Sequence, residues 1–116
     1  MVVIEQERDL LRVHVYGEMT IDDFREFEDA VMRELDDYDG VDLLFDLGNM
    51  TGFTLDVALE EMRFSKAHKQ DYRRIAVVTG EQWLAWVTWL AGRFVDADLQ
   101  QFPDQETATA WLAQAG

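Results

Sequence analysis

The sequence predicts an α/β domain over residues 1–116, with elements in the order ββαβαβαβα. Two observations carry this prediction. Short apolar strands alternate with amphipathic helical segments along the chain. The run Ile75–Thr79 is apolar without interruption, which is typical of a strand covered on both faces of a sheet. A chain of 116 residues is long enough for one hydrophobic core.

Composition narrows the classes of function. The formal net charge is −14, and residues 1–64 hold 18 acids and 5 bases. Such a surface repels phosphate backbones, so we expect no nucleic-acid partner. The chain contains no cysteine, so no thiolate metal site or redox centre is expected. With no basic-apolar leader and no apolar run of about 18 residues, the sequence predicts a cytoplasmic protein.

The first elements are predicted to form a β-hairpin. Residues 2–6 make a short strand, and Leu11, Val13 and Val15 alternate with polar residues in a second strand. His14 falls on the other face of that strand, beside Arg12 and Tyr16. No second histidine or carboxylate stands at ligand spacing, so His14 is predicted to be a half-exposed strand residue.

The first helix carries two start signals. Thr20 and Asp23 have the spacing of a capping box, and Met19 and Phe24 occupy the staple positions around the cap. The helix is predicted to end at Tyr38-Asp39-Gly40, with Gly40 able to take the left-handed conformation there. The buried stripe is Phe24, Phe27, Val31 and Leu35.

The central strand, residues 41–47, is predicted to deliver a loop from Gly48 to Gly52 to the surface, where this architecture usually places function. The second helix then runs from about Thr54, a plausible N-cap, to Lys69. Its core stripe is predicted to be Leu55, Ala58, Leu59 and Met62. A second apolar patch, formed by Val57, Phe64 and His68, lies nearly opposite.

A third helix is predicted over residues 81–91, with Trp86 and Trp89 projecting beside its main apolar stripe. An edge strand over residues 97–102 and a last helix follow. The last helix has a buried stripe of Ala108, Trp111, Leu112 and Ala115.

The leading hypothesis for function is a non-enzymatic binding or regulatory module. Its working surface is predicted to consist of Val57, Phe64, His68, Trp86 and Trp89. This surface suits either a homodimer interface or the binding of an apolar small molecule or membrane. Arg63, Lys66 and Lys69, with Arg73 and Arg74, form a basic cluster. These cations either complement the helix dipole or contact an anion or lipid headgroup.

Several of these residues together suggest a family. Gly52-Phe53-Thr54, Phe64 to Lys66, His68, Ile75 to Val78, Trp83, Phe94, Ala97, Phe102 and Ala110-Trp111-Leu112 form a succession that resembles the SpoIIAA-like proteins, which have the STAS fold. The resemblance covers essentially the whole chain. It implies a mixed, mostly parallel sheet of about five strands with flanking helices, and a link to anti-sigma-factor antagonists. Binding of apolar ligands or membranes is also suggested for the family.

Two alternatives stay open. The antagonists are switched by phosphorylation of a serine after an aspartate at the start of the second helix, and the matching region here, Phe53 to Asp56, has no Asp-Ser pair. Thr54, or Ser65 further along the helix, is the alternative phosphosite, and a regulatory protein is then the partner. The second alternative is an enzyme that uses Asp46, Thr51 or Thr54. We predict no metal site and no cofactor, because no triad, cation cage or phosphate loop has its spacing here.

Overall fold

The structure is a computed structural model that describes residues 1–8, 10–67, 71–79 and 98–114, without the side chains of Leu55, Ala58, Met62, Ser65 and Lys66. The elements are β1 (Val2–Glu7), β2 (Leu10–Met19), α1 (Ile21–Asp37), β3 (Val41–Phe53), α2 (Leu55–Ala67), β4 (Tyr72–Val78), β5 (Asp98–Phe102) and α3 (Gln105–Ala113). The helix predicted over residues 81–91 lies outside the described residues. Within them, no helix is long and apolar enough to cross a membrane.

The five strands form one mixed sheet in the order β1-β2-β3-β4-β5. β1 pairs with β2 in the antiparallel direction, and every other neighbouring pair is parallel. The predicted opening hairpin, the mostly parallel sheet and the edge position of the last strand are confirmed. α1 and α2 are the crossovers between consecutive parallel strands, as this topology requires.

The central strand is longer than predicted, and the predicted loop from Gly48 to Gly52 is wrong. β3 continues to Phe53 because β2 also continues, to Met19, and offers its backbone groups to these residues. Gly17 aligns with Met50, and Met19 aligns with Phe53. The register shifts along this pairing, and Gly17 has a φ of 73°, a conformation that glycine adopts without strain.

The two faces of the sheet are covered by different helices. α1 and α2 pack on one face, where the buried residues include Leu11, Val13, Val15, Phe24, Phe27, Val31, Leu43, Leu47, Val57, Phe64, Ile75 and Val77. α3 packs on the other face through Ala108 and Leu112, against Leu44, Ala76 and Val78. Both faces of β3 and β4 are therefore buried, as the apolar run in β4 predicted.

The ends of the first helix show one confirmed signal and one error. The Thr20 hydroxyl accepts from the backbone N–H of Asp23, and the Asp23 carboxylate accepts from the N–H of Thr20, which confirms the capping box. Gly40 does not have a positive φ, so the left-handed end was a wrong prediction. Gly40 is buried, and a Cβ there would lie 3.2 Å from Cγ of Arg73, so a larger residue would require the Arg73 side chain to move by a few tenths of an ångström.

Candidate functional site

A polar pair lies where the pairing of β3 with β4 ends, on the face of the sheet covered by α3. His14 of β2 and Asp46 of β3 are register partners, and His14 Nδ1 lies 3.5 Å from Asp46 Oδ2. Both side chains are nearly buried, with 12% and 11% of their surfaces exposed. The sequence does not reveal Asp46 as the partner of His14. The two residues are 32 positions apart and become neighbours only when their strands pair.

Asp46 is held by two further groups. The backbone N–H of Gly48 donates to Oδ1 at 2.9 Å, and the Gln105 side chain, at the start of α3, donates to Oδ2 at 2.6 Å. A buried carboxylate needs such donors, since burial without them is costly. The Asp46 carboxylate therefore ties β2, β3 and α3 together.

Two arginines on the same face of the sheet also bind α3. Arg12 Nη1 donates to the Thr109 hydroxyl at 3.1 Å. Arg74 Nη1 donates to the Trp111 carbonyl at 3.0 Å, and its guanidinium carbon lies 5.0 Å from the centre of the Trp111 ring. The polar side chains on this face thus position a short helix of nine residues.

The three residues of the enzyme alternative do not come together. Asp46 lies in the sheet, whereas Thr51 is an exposed residue five positions along the same extended strand, about 16 Å away at about 3.3 Å per residue. Thr54 directly precedes α2, and its hydroxyl donates to the Asp56 carboxylate. The same carboxylate oxygen of Asp56 accepts from the N–H of Val57 at 3.0 Å. This polar network holds the first turn of α2.

The structure corrects the predicted apolar surface. Val57 and Phe64 are buried, with 0% and 6% exposure, whereas Leu59 is 59% exposed. Phe64 lies among aromatic rings of α1, with its centre 6.2 Å from that of Phe24 and 6.0 Å from that of Phe27. Two apolar stripes were available on this helix, and the aromatic residues of α1 bury the stripe that was predicted to be a surface.

The other members of that surface, His68, Trp86 and Trp89, lie outside the described residues. The basic cluster is also divided. Lys69 and the side chain of Lys66 are not described. Arg63 pairs with Glu60, and its Nη2 lies 4.0 Å from Oε2 of Glu28. Arg73 lies 3.5 Å from Asp42. Of the arginines of this cluster that the structure describes, Arg63 and Arg73 pair with acidic side chains. The headgroup role of the cluster stays a prediction.

Two acidic residues meet between α1 and α2. Burial, followed by the neighbouring Glu60 carboxylate, raises the pKa of Glu28 to about 7. The Arg63 guanidinium and the hydrogen bond with Glu28 lower the pKa of Glu60. Glu28 is therefore the carboxyl of the pair that keeps its proton to higher pH, and this depends on α1 and α2 lying side by side. In the described residues, no group of three or more histidine, aspartate or glutamate side chains has the arrangement of a metal site.

A family model described as SpoIIAA-like matches residues 10–113. The chain belongs to the SpoIIAA-like family. This confirms the resemblance drawn from the sequence. A search of curated proteins found no match for this SpoIIAA-like chain.

Two solved structures share the fold. An uncharacterized protein from the DUF3478 family, with a SpoIIAA-like fold, from Shewanella loihica is 22% identical, with a TM-score of 0.76, and the match covers 97% of this chain and 92% of that one. The anti-sigma factor antagonist SpoIIAA in its unphosphorylated form is 10% identical, with a TM-score of 0.67 and coverage of 97% and 98%. At these identities the likeness concerns the fold.

Proposed function

We propose that this chain is a non-enzymatic regulatory module that binds a partner protein through the outward face of α2. The observation that carries the proposal is Leu59, an apolar side chain that is 59% exposed. Asp56 and Arg63, both exposed, lie on the same side of the helix at spacings of three and four residues. The family membership and the fold shared with an anti-sigma factor antagonist support a regulatory role.

The chemistry of this face suits a protein partner. An exposed apolar side chain beside charged groups gives an interface an anchor that is buried on binding, with a polar surround that fixes orientation. Asp46 and Thr54 each have a structural role, since both side chains form hydrogen bonds within the fold. The cytoplasmic location expected from the sequence stays a prediction.

A matched pair of variants tests the proposal. Leu59→Ser removes the apolar anchor, 59% exposed, from α2, and Met32→Ser removes another exposed apolar side chain, 46% exposed, from α1. Each protein is immobilised and exposed to an extract of the source organism, and bound proteins are identified by mass spectrometry and then purified. We expect a purified partner to bind the wild type and Met32→Ser, and to lose at least tenfold in affinity for Leu59→Ser. Equal affinities for all three proteins would contradict the assignment of this face.

A second candidate is that the same face binds another copy of the chain or an apolar ligand. The exposed Leu59 favours this reading as well, because homodimer contacts and lipid contacts both bury apolar side chains. Native mass spectrometry separates the three occupants. A bare dimer that Leu59→Ser converts to monomers indicates self-association, and a retained lipid-sized mass indicates a ligand. A monomer without added mass indicates that a partner protein is the occupant of this face.

Phosphorylation of Thr54 is the regulatory alternative within this function. Thr54 stands directly before α2 and its hydroxyl binds Asp56, so a phosphate there would meet a carboxylate and break that hydrogen bond. We expect Thr54→Glu to weaken partner binding and Thr54→Ser to preserve it. Unchanged affinity in Thr54→Glu would contradict this form of control.

A further inference from the structure

The strand β1 lies at the edge of the sheet, and its outer side carries regular backbone donors and acceptors. Met1 and Tyr16 exchange both backbone hydrogen bonds, at 2.8 and 2.9 Å. The antiparallel register continues without a shift through Val3 and His14 to Glu7 and Leu10. Because bonding alternates along such a pair, the backbone groups of Val2, Ile4 and Gln6 point away from β2. This is the arrangement to which another extended segment can pair.

A groove lies beside this edge, on the side of the sheet covered by α1. It has a volume of about 280 Å³ and is lined by Ile4 of β1 and by Glu26, Asp29 and Arg33 of α1. Ile4 supplies the apolar part, and the α1 residues contribute two acids and one base. A residue of an added strand opposite Ile4 would point to the same face of the sheet and therefore into this groove.

We propose that β1 and this groove form a second binding surface, which accepts an extended basic segment of another protein by strand addition. Charge complementarity identifies the partner. Glu26 and Asp29 outnumber Arg33 in the groove. On the other face of β1, Glu5 is exposed and Glu7 accepts a hydrogen bond from Arg12. An arginine or lysine facing Ile4 would lie beside the two carboxylates of α1.

Charge disfavours a second copy of this chain at the same edge. In the antiparallel register that sets Gln6 opposite Gln6, Glu5 of one chain would stand directly opposite Glu7 of the other, and like charges in opposed strands are destabilising. The same acidic side chains attract a basic segment. This surface is separate from the Leu59 face of α2.

The test uses a labelled pentapeptide, Arg-Val-Arg-Val-Arg, with Glu-Val-Glu-Val-Glu as the charge-reversed control, and measures binding by fluorescence anisotropy. Two variants alter the surface. Glu26→Gln with Asp29→Asn removes the groove charges, and Gln6→Pro removes an outward backbone N–H without touching the bonds to β2. The matched control, Asp36→Asn with Asp37→Asn, removes two exposed charges from the far end of the same helix. Circular dichroism confirms that each variant is folded.

We expect the basic peptide to bind the wild type and the Asp36/Asp37 control equally. Its affinity should fall at least tenfold in the Glu26/Asp29 variant and at least threefold in Gln6→Pro. Leu59→Ser should bind it normally, which separates this proposal from the proposed function of α2. Equal loss in the Asp36/Asp37 control would indicate general attraction to an acidic surface and overturn the proposal. Absence of binding at millimolar peptide, or undiminished binding by Gln6→Pro, would overturn it as well.

Discussion

Phe64 of α2 packs against Phe24 of α1 with their ring centres 6.2 Å apart and their planes at 87°. This edge-to-face contact, together with the contact between Phe64 and Phe27, determines which side of α2 faces the core. The opposite side then presents Leu59 to solvent. The orientation of α2 therefore decides which residues of this SpoIIAA-like chain are available to a partner.

Phe64→Ala tests that orientation. Because the side chain is buried among rings of α1, we expect the free energy of unfolding in urea to fall by about 3–5 kcal/mol. Leu59→Ala is the control, and its effect should stay within about 0.5 kcal/mol because the side chain is mostly exposed. Similar losses in both variants would show that α2 presents a different side to the core.

Asp46→Ala tests the tie between the sheet and α3. The change leaves the Gly48 N–H and the Gln105 amide without their acceptor, so we expect a loss of about 1–3 kcal/mol in unfolding free energy. Asp98→Ala, at an exposed position of β5, removes the same charge as a control. Amide hydrogen exchange should also quicken in α3 of Asp46→Ala, and unchanged exchange there would contradict the role assigned to Asp46.

Glu28→Gln should change how stability depends on pH. The pKa of Glu28 is raised from 4.5 to about 7, so the unfolded chain releases this proton first as pH rises. Stability should therefore fall between about pH 4.5 and 7, and the penalty is complete above pH 7. We expect Glu28→Gln to match the wild type at pH 4.5 and to exceed it by about 1 kcal/mol at pH 8, since the pair is partly solvated.

The same urea titrations on Glu26→Gln, an exposed position of α1, supply the control for that measurement. A single charge removed from an acidic surface should shift stability slightly and by a similar amount at both pH values. An equal pH dependence in Glu26→Gln and Glu28→Gln would show that overall charge, and not the pair with Glu60, causes the effect.

Thr20→Ala should lower the free energy of unfolding by about 1 kcal/mol, because the N–H of Asp23 loses the hydroxyl that accepts its hydrogen bond. Thr20→Ser keeps a hydroxyl at the same position and should lie within a few tenths of a kcal/mol of the wild type. Thermal or urea unfolding checks both variants. A loss of the same size in Thr20→Ser would contradict the capping explanation.

Local patterns in the sequence predicted much of the fold. Alternation of apolar residues gave β2 its buried face, through Leu11, Val13 and Val15, and helical spacing gave α1 its buried stripe. The capping box at Thr20 was also visible, because it involves residues only three positions apart. These features depend on neighbours within a turn or a strand, so the local sequence is enough to specify them.

The candidate site followed less directly from the sequence. Val57 and Phe64 were predicted to form a surface, since α2 has two apolar stripes and nothing local to the helix distinguishes them. The His14–Asp46 pair was missed because 32 residues separate its members. Glu28 and Glu60 are also 32 residues apart, and the raised pKa of Glu28 depends on contact between α1 and α2. Extension of β3 through Gly48 to Gly52 likewise required the pairing with β2.

The sequence by itself determined the α/β class, the order of the described elements, the acidic charge and the family, because periodicity, composition and motif succession are properties of the chain alone. Tertiary structure decided which stripe of α2 is buried, which carboxylates meet a partner side chain, and which edge of the sheet is left beside a groove. Those outcomes depend on helix–sheet packing and strand register, which bring residues together regardless of their distance in sequence.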